Sequence, residues 1–293
     1  MMIRFKVVKA SKLLLFIAIV LLFAATCFIM VRYSLSREPQ IQTTSAELVH
    51  SAAETQPVFA ARGMDVEVVR GAKRSVLIYH THTHEAYEQV ADDPYVAVEA
   101  WRTTDTDYSV VRVGQALTEE LQRLGLEVVH DCTDHEGDQL STAYTRSLKT
   151  LKSYAEPFDL YIDLHRDAWA EGEVKTVAGK SGALMAPLMV LIGNGKGFDE
   201  KPFYKENYAF ACALEDQINA IEPGLCKPVL VKDGRYNQNI GVFAVLIEVG
   251  HNRNTLHQAL NSIPPLAQAI DDLMIENPSP ELLRMKADWE ATR

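Results

Sequence analysis

Short apolar runs that alternate with amphipathic helical stretches restrict this chain more than any other feature. "SVLIYH", from Ser75, is apolar on both faces and too brief for a helix. "SVVRVGQALTEELQRLG", from Ser109, carries apolar residues at helical spacing and ends on a glycine stop. "LEVVHDC" then reads as a strand, "STAYTRSLKTLKSYAE" as a helix capped by Ser141 or Thr142, and "FDLYIDLH" as a strand. The pattern continues with "PLMVLIG" (strand), "NYAFACALEDQINAIEP" (helix) and "FAVLIEVG" (strand), then "NTLHQALNSIPPLAQAIDDLM", a helix interrupted by its two prolines. Strands buried on both faces between helices predict an α/β fold, with a mainly parallel or mixed central sheet flanked by helices. A single domain over residues 66–280 is expected, followed by a tail over 281–293.

The N-terminus is of another kind. Residues 13–31 read "LLLFIAIVLLFAATCFIMV", without a charge, and a helix of that length spans roughly 28 Å, about the hydrocarbon thickness of a bilayer. The preceding residues 1–12 are basic and should remain cytoplasmic, which places the body outside the cell as a single-pass membrane protein. A cleaved signal peptide would have a shorter apolar region and a small-residue cleavage site, and "ATCFIMVRY" offers none. Residues 32–65, rich in Ser, Thr, Glu and Gln, read as a stalk, with a first strand expected near "MDVEVVRG". The first 37 residues hold six basic side chains and no acid, so the formal charge of −10 hides a body carrying −16. Such a body repels phosphate backbones, which argues against nucleic acid as a partner. Cys132, Cys212 and Cys226 show no CxxC spacing, so a thiolate zinc site is not expected, and at most one disulfide could join two of them.

In a sheet of this kind, ligands gather at the carboxyl ends of the strands. Three strand ends here are polar: "HTHTHE" from His80 to Glu85, "HRD" from His165 to Asp167, and the segment around Glu248. Two histidines and a carboxylate leave a zinc ion one open position for water, and a further glutamate can move the proton. No GxSxG or SxxK nucleophile motif competes. A lone histidine at a strand end is more often a satisfied polar residue, which is the bland reading of His165. The bland reading of Glu248 is a salt bridge with Arg166 or Arg146. Along a continuing strand His80, His82 and His84 would share a face. The strand must stop, however, and His82 stands best at its tip. Glu85 could return to the same ion if the chain turns after Thr83. His80, one pleat deeper, is placed to orient a ligand or to substitute for one.

"LIYHTHTHEAY", "STAYTRSLKTLK…LYIDLHRDA", "GRYNQNIG" and "LIEVGHNRNTLHQA", in this order behind an apolar N-terminal segment, resemble the stage II sporulation protein P (SpoIIP) family over roughly residues 74–262. The resemblance implies a zinc-dependent peptidoglycan hydrolase with an amidase-like fold. Such an enzyme splits the amide between N-acetylmuramic acid and L-alanine, in some members also peptide cross-links, during sporulation engulfment. It implies SpoIID-like lytic transglycosylase and SpoIIM-like membrane partners. Carried over by position, it assigns His82, Glu85 and His165 as metal ligands and Glu248 as the catalytic glutamate, with Glu99 the fallback carboxylate ligand. Arg146, Arg166, Asn237 and Gln238 become candidates for substrate contacts. The chain departs from the family at Ala86, where a serine is common, and in its additional His84 and short stalk. Three rivals remain: a zinc peptidase acting on stem peptides, a phosphoesterase with an HxH motif, and a noncatalytic wall-binding ectodomain of the same fold.

Overall fold

Val76, Leu77 and Ile78 are wholly buried, so the first strand, β1 (Ser75–Tyr79), has no solvent face and must lie inside a sheet. This computed structural model describes residues 74–137, 139–168 and 175–275. The expected anchor, stalk, "MDVEVVRG" strand and C-terminal tail lie outside the described residues. After β1 come α1 (Val110–Arg123), β2 (Glu127–Asp131), a single 3₁₀ turn at Leu140–Thr142, α2 (Ala143–Leu151) and β3 (Leu160–Asp167). A small antiparallel pair, β4 (Val177–Ala178) and β5 (Leu184–Met185), leads to β6 (Leu188–Gly193), α3 (Tyr204–Ile221) and β7 (Leu230–Lys232). β8 (Ala244–His251), α4 (Leu256–Asn261) and α5 (Ile263–Ile275) complete the order.

The six-stranded sheet has the order β2-β1-β3-β8-β6-β7. It is mixed, because β6 runs antiparallel to β8 while the other pairings are parallel. The chain steps from β1 outward to β2, then crosses back to place β3 on the opposite side of β1. The winding therefore reverses between β1 and β3, which opens a crevice at their carboxyl ends.

The helix ends follow local chemistry. Ser109 caps α1, its hydroxyl accepting from the Val111 N–H at 3.2 Å, and Gly125 takes the left-handed turn (φ 91°) beyond the last residues. Thr255 and Gln258 form a reciprocal capping box on α4. The expected interruption falls at Ser262, whose hydroxyl donates to the Ala186 carbonyl. Pro264 and Pro265 sit in the first turn of α5, where a missing N–H costs nothing.

The two faces of the sheet are covered differently. Val76, Ile78, Ile162, Leu164, Val190, Ile192, Val245 and Ile247 face the main core, packed under α1, α3 and α5. Leu77, Tyr79, Tyr161 and Ala244 form a smaller cluster with Leu151 of α2. The functional strand ends open on this lightly covered face. Among the described residues the three cysteines are free, so no disulfide staples the fold.

One helical glycine is fixed by close approach. A Cβ on Gly114, inside α1, would lie 2.6 Å from both His80 Nε2 and His130 Nε2. Glycine costs about 1 kcal/mol in a helix interior relative to alanine, yet only glycine lets α1 settle over this imidazole pair. Gly114→Ala is expected to lower stability by about 1–3 kcal/mol despite the better helix propensity, read as a drop in the urea unfolding midpoint.

Candidate active site

β1 ends at Tyr79, and the next residues explain how three alternate histidines come apart. The Thr81 N–H donates to Asp163 Oδ1 at 2.8 Å and its hydroxyl donates to Asp163 Oδ2 at 2.7 Å. This hook on β3 turns the chain at the strand tip. His80 stays under α1, its Nδ1 2.9 Å from the Leu164 carbonyl and its Nε2 2.9 Å from His130 Nε2. Burial, then the neighbouring His130, pushes the His80 pKa down to about 3. Its nitrogens are thus spent on the face away from α2. His82 lies beyond the hook and comes over to His165, with ring centroids 5.5 Å apart. His84 goes to the loop after β2, where it pairs with Asp134 and Glu136, each at 3.1 Å.

His165 is the centre of the arrangement. Its Nδ1 lies 3.3 Å from Glu85 Oε2, and its Nε2 lies 2.8 Å from Asp163 Oδ1, close but poorly aligned for a hydrogen bond. Asp163 precedes His165 by two residues, so both project from the same face of β3. Glu248 is the direct register partner of His165 on β8 and shares that face. Three strand or loop positions thus bring His82, Glu85, His165 and Glu248 to one place. Glu99 is elsewhere: it is exposed and reaches Arg102 at 3.7 Å.

The electrostatics describe a site with surplus negative charge. Burial alone would raise the Glu85 carboxyl, but His165, then Arg166 and His82, outweigh it and hold its pKa at about 2. Burial likewise opposes charge on Asp163 and on His165. Their mutual attraction wins, keeping the carboxyl low and pushing the imidazole well above its usual range, with Glu85 assisting. For Glu248 the pull of His165 is too weak to offset burial. Its Oε2 is enclosed without a hydrogen bond, and burial above all, with Glu85 and Asp167 adding, raises its pKa to about 8. His165 is the cation that Glu85 and Asp163 share.

Zinc fits this donor set in kind. His82 Nδ1 is enclosed with no hydrogen-bond partner, and the nearest carboxylate oxygen, Glu136 Oε1, is 3.7 Å away. Two ligands of a tetrahedral zinc ion, each about 2.1 Å from it, stand roughly 3.4 Å apart, and the His165 to Glu85 separation of 3.3 Å matches. Among the described residues no three His, Cys, Asp or Glu side chains are already disposed to hold an ion.

The proposed substrate contacts are largely turned inward. Arg166 donates to the Ala86 and Trp101 carbonyls at 2.9 and 3.1 Å and holds the loop that carries Glu85. Arg146 donates to the His135 and Gln139 carbonyls at 2.5 and 2.8 Å. Gln238 fills the end of β6, accepting from the Gly193 N–H and donating to the Leu191 carbonyl. Asn237 donates to the Tyr144 carbonyl and to Ser147 Oγ at 2.8 and 2.9 Å. Each satisfies buried backbone or loop atoms. His251 is buried at the end of β8.

Three residues escaped the sequence reading. Asp163 could have been found two positions before His165 by strand periodicity. Glu136, which touches His82, His84 and Arg102, lies in "HDCTDHEGD", a stretch dense in acids and histidines directly after β2. Tyr144 lies within the family-like segment "STAYTRSLKTLK", where nothing in the residues singles it out. Its ring packs against His82 with centroids 5.9 Å apart, and burial, then Asp163, Glu248 and Glu85, keeps its phenol protonated.

The family model described as stage II sporulation protein P (SpoIIP) matches residues 33–271. Stage II sporulation protein P of Bacillus subtilis (strain 168) is 27% identical over 221 residues, covering 69% of this chain and 52% of the relative. The chain therefore spans about half the length of the curated relative it matches. Among solved structures, the apo N-acetylmuramyl-L-alanine amidase Ami1 from Mycobacterium abscessus is similar at 18% identity and a TM-score of 0.41, over 68% of this chain and 96% of that one. The CwlD amidase from Clostridioides difficile, solved with the GerS lipoprotein, has 14% identity and a TM-score of 0.41, over 68% and 95%. Those likenesses are loose, whereas the family match runs through every element that carries the site. The chain belongs to the stage II sporulation protein P family.

Proposed function

We propose that this chain is a membrane-anchored, zinc-dependent peptidoglycan hydrolase that cleaves the amide between N-acetylmuramic acid and L-alanine during sporulation. The convergence of His82, Glu85 and His165 with Glu248 on the adjoining strand carries the reading. SpoIID-like and SpoIIM-like partners, cleavage of cross-links and the anchor at residues 13–31 belong to the same proposal.

His82, Glu85 and His165 would hold the ion. A bound zinc ion supplies Lewis-acid polarisation of the scissile carbonyl and lowers the pKa of water to about 7. The protein does the rest. Asp163 fixes the orientation of His165 through Nε2, leaving Nδ1 for the site. The Glu248 carboxylate takes the proton of the attacking water and passes it to the departing alanine nitrogen. Tyr144, held protonated, presents a hydrogen-bond donor at the edge of the cluster.

Digestion of purified peptidoglycan by the full-length protein, with fragments weighed, tests the reaction. Release of intact stem peptides that stops on chelation and returns with zinc is expected. Activity surviving both chelation and Glu248→Gln would sink the mechanism, while cleavage only within the peptides would favour the peptidase reading. Zinc retained after dialysis should vanish in His82→Ala and His165→Ala and persist in His84→Ala.

Asp163→Asn keeps the shape of the side chain and removes its charge. Zinc affinity is expected to fall about 10–100-fold, measured by competition with a chromogenic chelator, with a smaller change in melting temperature than Asp163→Ala.

Glu248→Gln should lower kcat about 10²–10⁴-fold and also stabilise the metal-free protein. The sign follows from its raised pKa. Below pH 4.5 the residue is protonated whether folded or unfolded. Between about 4.5 and 8 the unfolded chain releases the proton first, so wild-type stability declines as pH rises. The variant lacks this loss and should exceed wild type by on the order of 4 kcal/mol at pH 8, with the gap closing toward pH 5. Equal melting temperatures at both pH values would contradict the buried, unpaired carboxyl.

A further inference from the structure

Beside the His82 and His165 cluster lies a concavity of about 400 Å³. The 3₁₀ turn before α2 supplies Ser141 to its wall and α2 supplies Tyr144 and Thr145, while the loop after β6 supplies Phe198 and the loop between β7 and β8 supplies Arg235 and Tyr236. The cavity joins the site through aromatic rings. Tyr236 packs on Tyr144 with centroids 5.6 Å apart, and Tyr144 packs on His82 in turn.

Two features mark this wall as built for a ligand. Tyr236 and Asn237 both hold left-handed backbone, φ 49° and 53°, which costs non-glycine residues of order 1–2 kcal/mol each. The Asn237 amide, bonded to Tyr144 and Ser147, keeps the loop in that shape. Arg235 lies over the Phe198 ring at 4.7 Å and reaches the half-exposed Glu200 at 3.2 Å through Nη1. Its Nε–H is enclosed and has no acceptor. Leaving such a donor unpaired costs about 1–3 kcal/mol, and more for a charged group. A carboxylate is the partner that suits a guanidinium edge.

We infer that this cavity is a subsite for an acidic peptide, with Arg235 receiving a carboxylate and the Tyr144 and Tyr236 rings carrying the peptide toward His82. The inference rests on the hydrolase reading and names which part of that substrate lies where. In the proposed scissile linkage the lactyl carboxyl of the sugar is already consumed as an amide, so the free carboxylates belong to the stem peptide. An uncharged sugar would leave the Arg235 Nε–H without its ion.

The test uses the full-length protein and two synthetic stem tripeptides, L-Ala–γ-D-Glu–meso-diaminopimelate with free carboxylates and the same peptide with them amidated. Calorimetry should give wild type about tenfold tighter binding of the free form. Arg235→Gln should abolish that preference, and on matching muropeptides it should raise KM with kcat nearly unchanged. Arg235→Lys should recover it in part. Equal affinity of wild type for the two peptides would overturn the subsite, and that comparison stands even if a variant fails to fold. A neutral disaccharide that displaces the free peptide would overturn it too, by making the cavity a sugar site. Wild type that binds the free peptide selectively yet cleaves no peptidoglycan would leave the subsite standing and remove the hydrolase. Cleavage unaffected by Arg235→Gln would do the reverse.

Discussion

The hook from Thr81 to Asp163 is the contact on which the site depends. One buried carboxylate accepts from both the amide and the hydroxyl of Thr81, two residues beyond the end of β1. It ties β1 to β3 where the winding of the sheet reverses and a crevice is available. The same carboxylate approaches His165. Without the hook the extended chain would send His80 and His82 to one face, toward α1. With it, His80 remains beneath the helix and His82 crosses to His165. The central threonine of the HTH segment is therefore the residue that separates its histidines.

Much of the architecture was legible because it rests on periodicity. Runs such as Val76–Ile78 and Leu188–Ile192 are apolar at every position and could only be interior strands. The strand-end rule then brought His82, His165 and Glu248 together before any contact was seen. Two things were not legible. The antiparallel entry of β6 beside β8 depends on how the segment between β3 and β6 returns, and side-chain pattern does not encode strand direction. The inward commitment of Arg166, Asn237 and Gln238 was hidden as well. An arginine that satisfies buried carbonyls and one that meets a substrate look alike in sequence, and only the count of unsatisfied backbone atoms around them separates the two.

The site also illustrates a division of labour between rigid and adaptable parts. His165, Asp163 and Glu248 sit on neighbouring strands, where backbone ladders fix their spacing. His82, Glu85 and Glu136 sit on loops, fastened by Arg166 and Arg102. A cluster with this much negative charge is costly to assemble alone. The protonated His165 between two carboxylates eases that cost, and an ion seated there would take over its role.

The register of His165 against Glu248 bears on folding as well as on chemistry. Ile247 and Val249, the residues either side of Glu248, belong to the main core. A slip of β8 by one position would turn Glu248 into that core and set an isoleucine or valine beside His165. A misaligned sheet would thus bury a carboxyl among aliphatic side chains, a penalty far larger than an apolar exchange would carry. The residue proposed to move the proton doubles as a proofreading mark: only the alignment that builds the site gives its carboxyl a tolerable place to be.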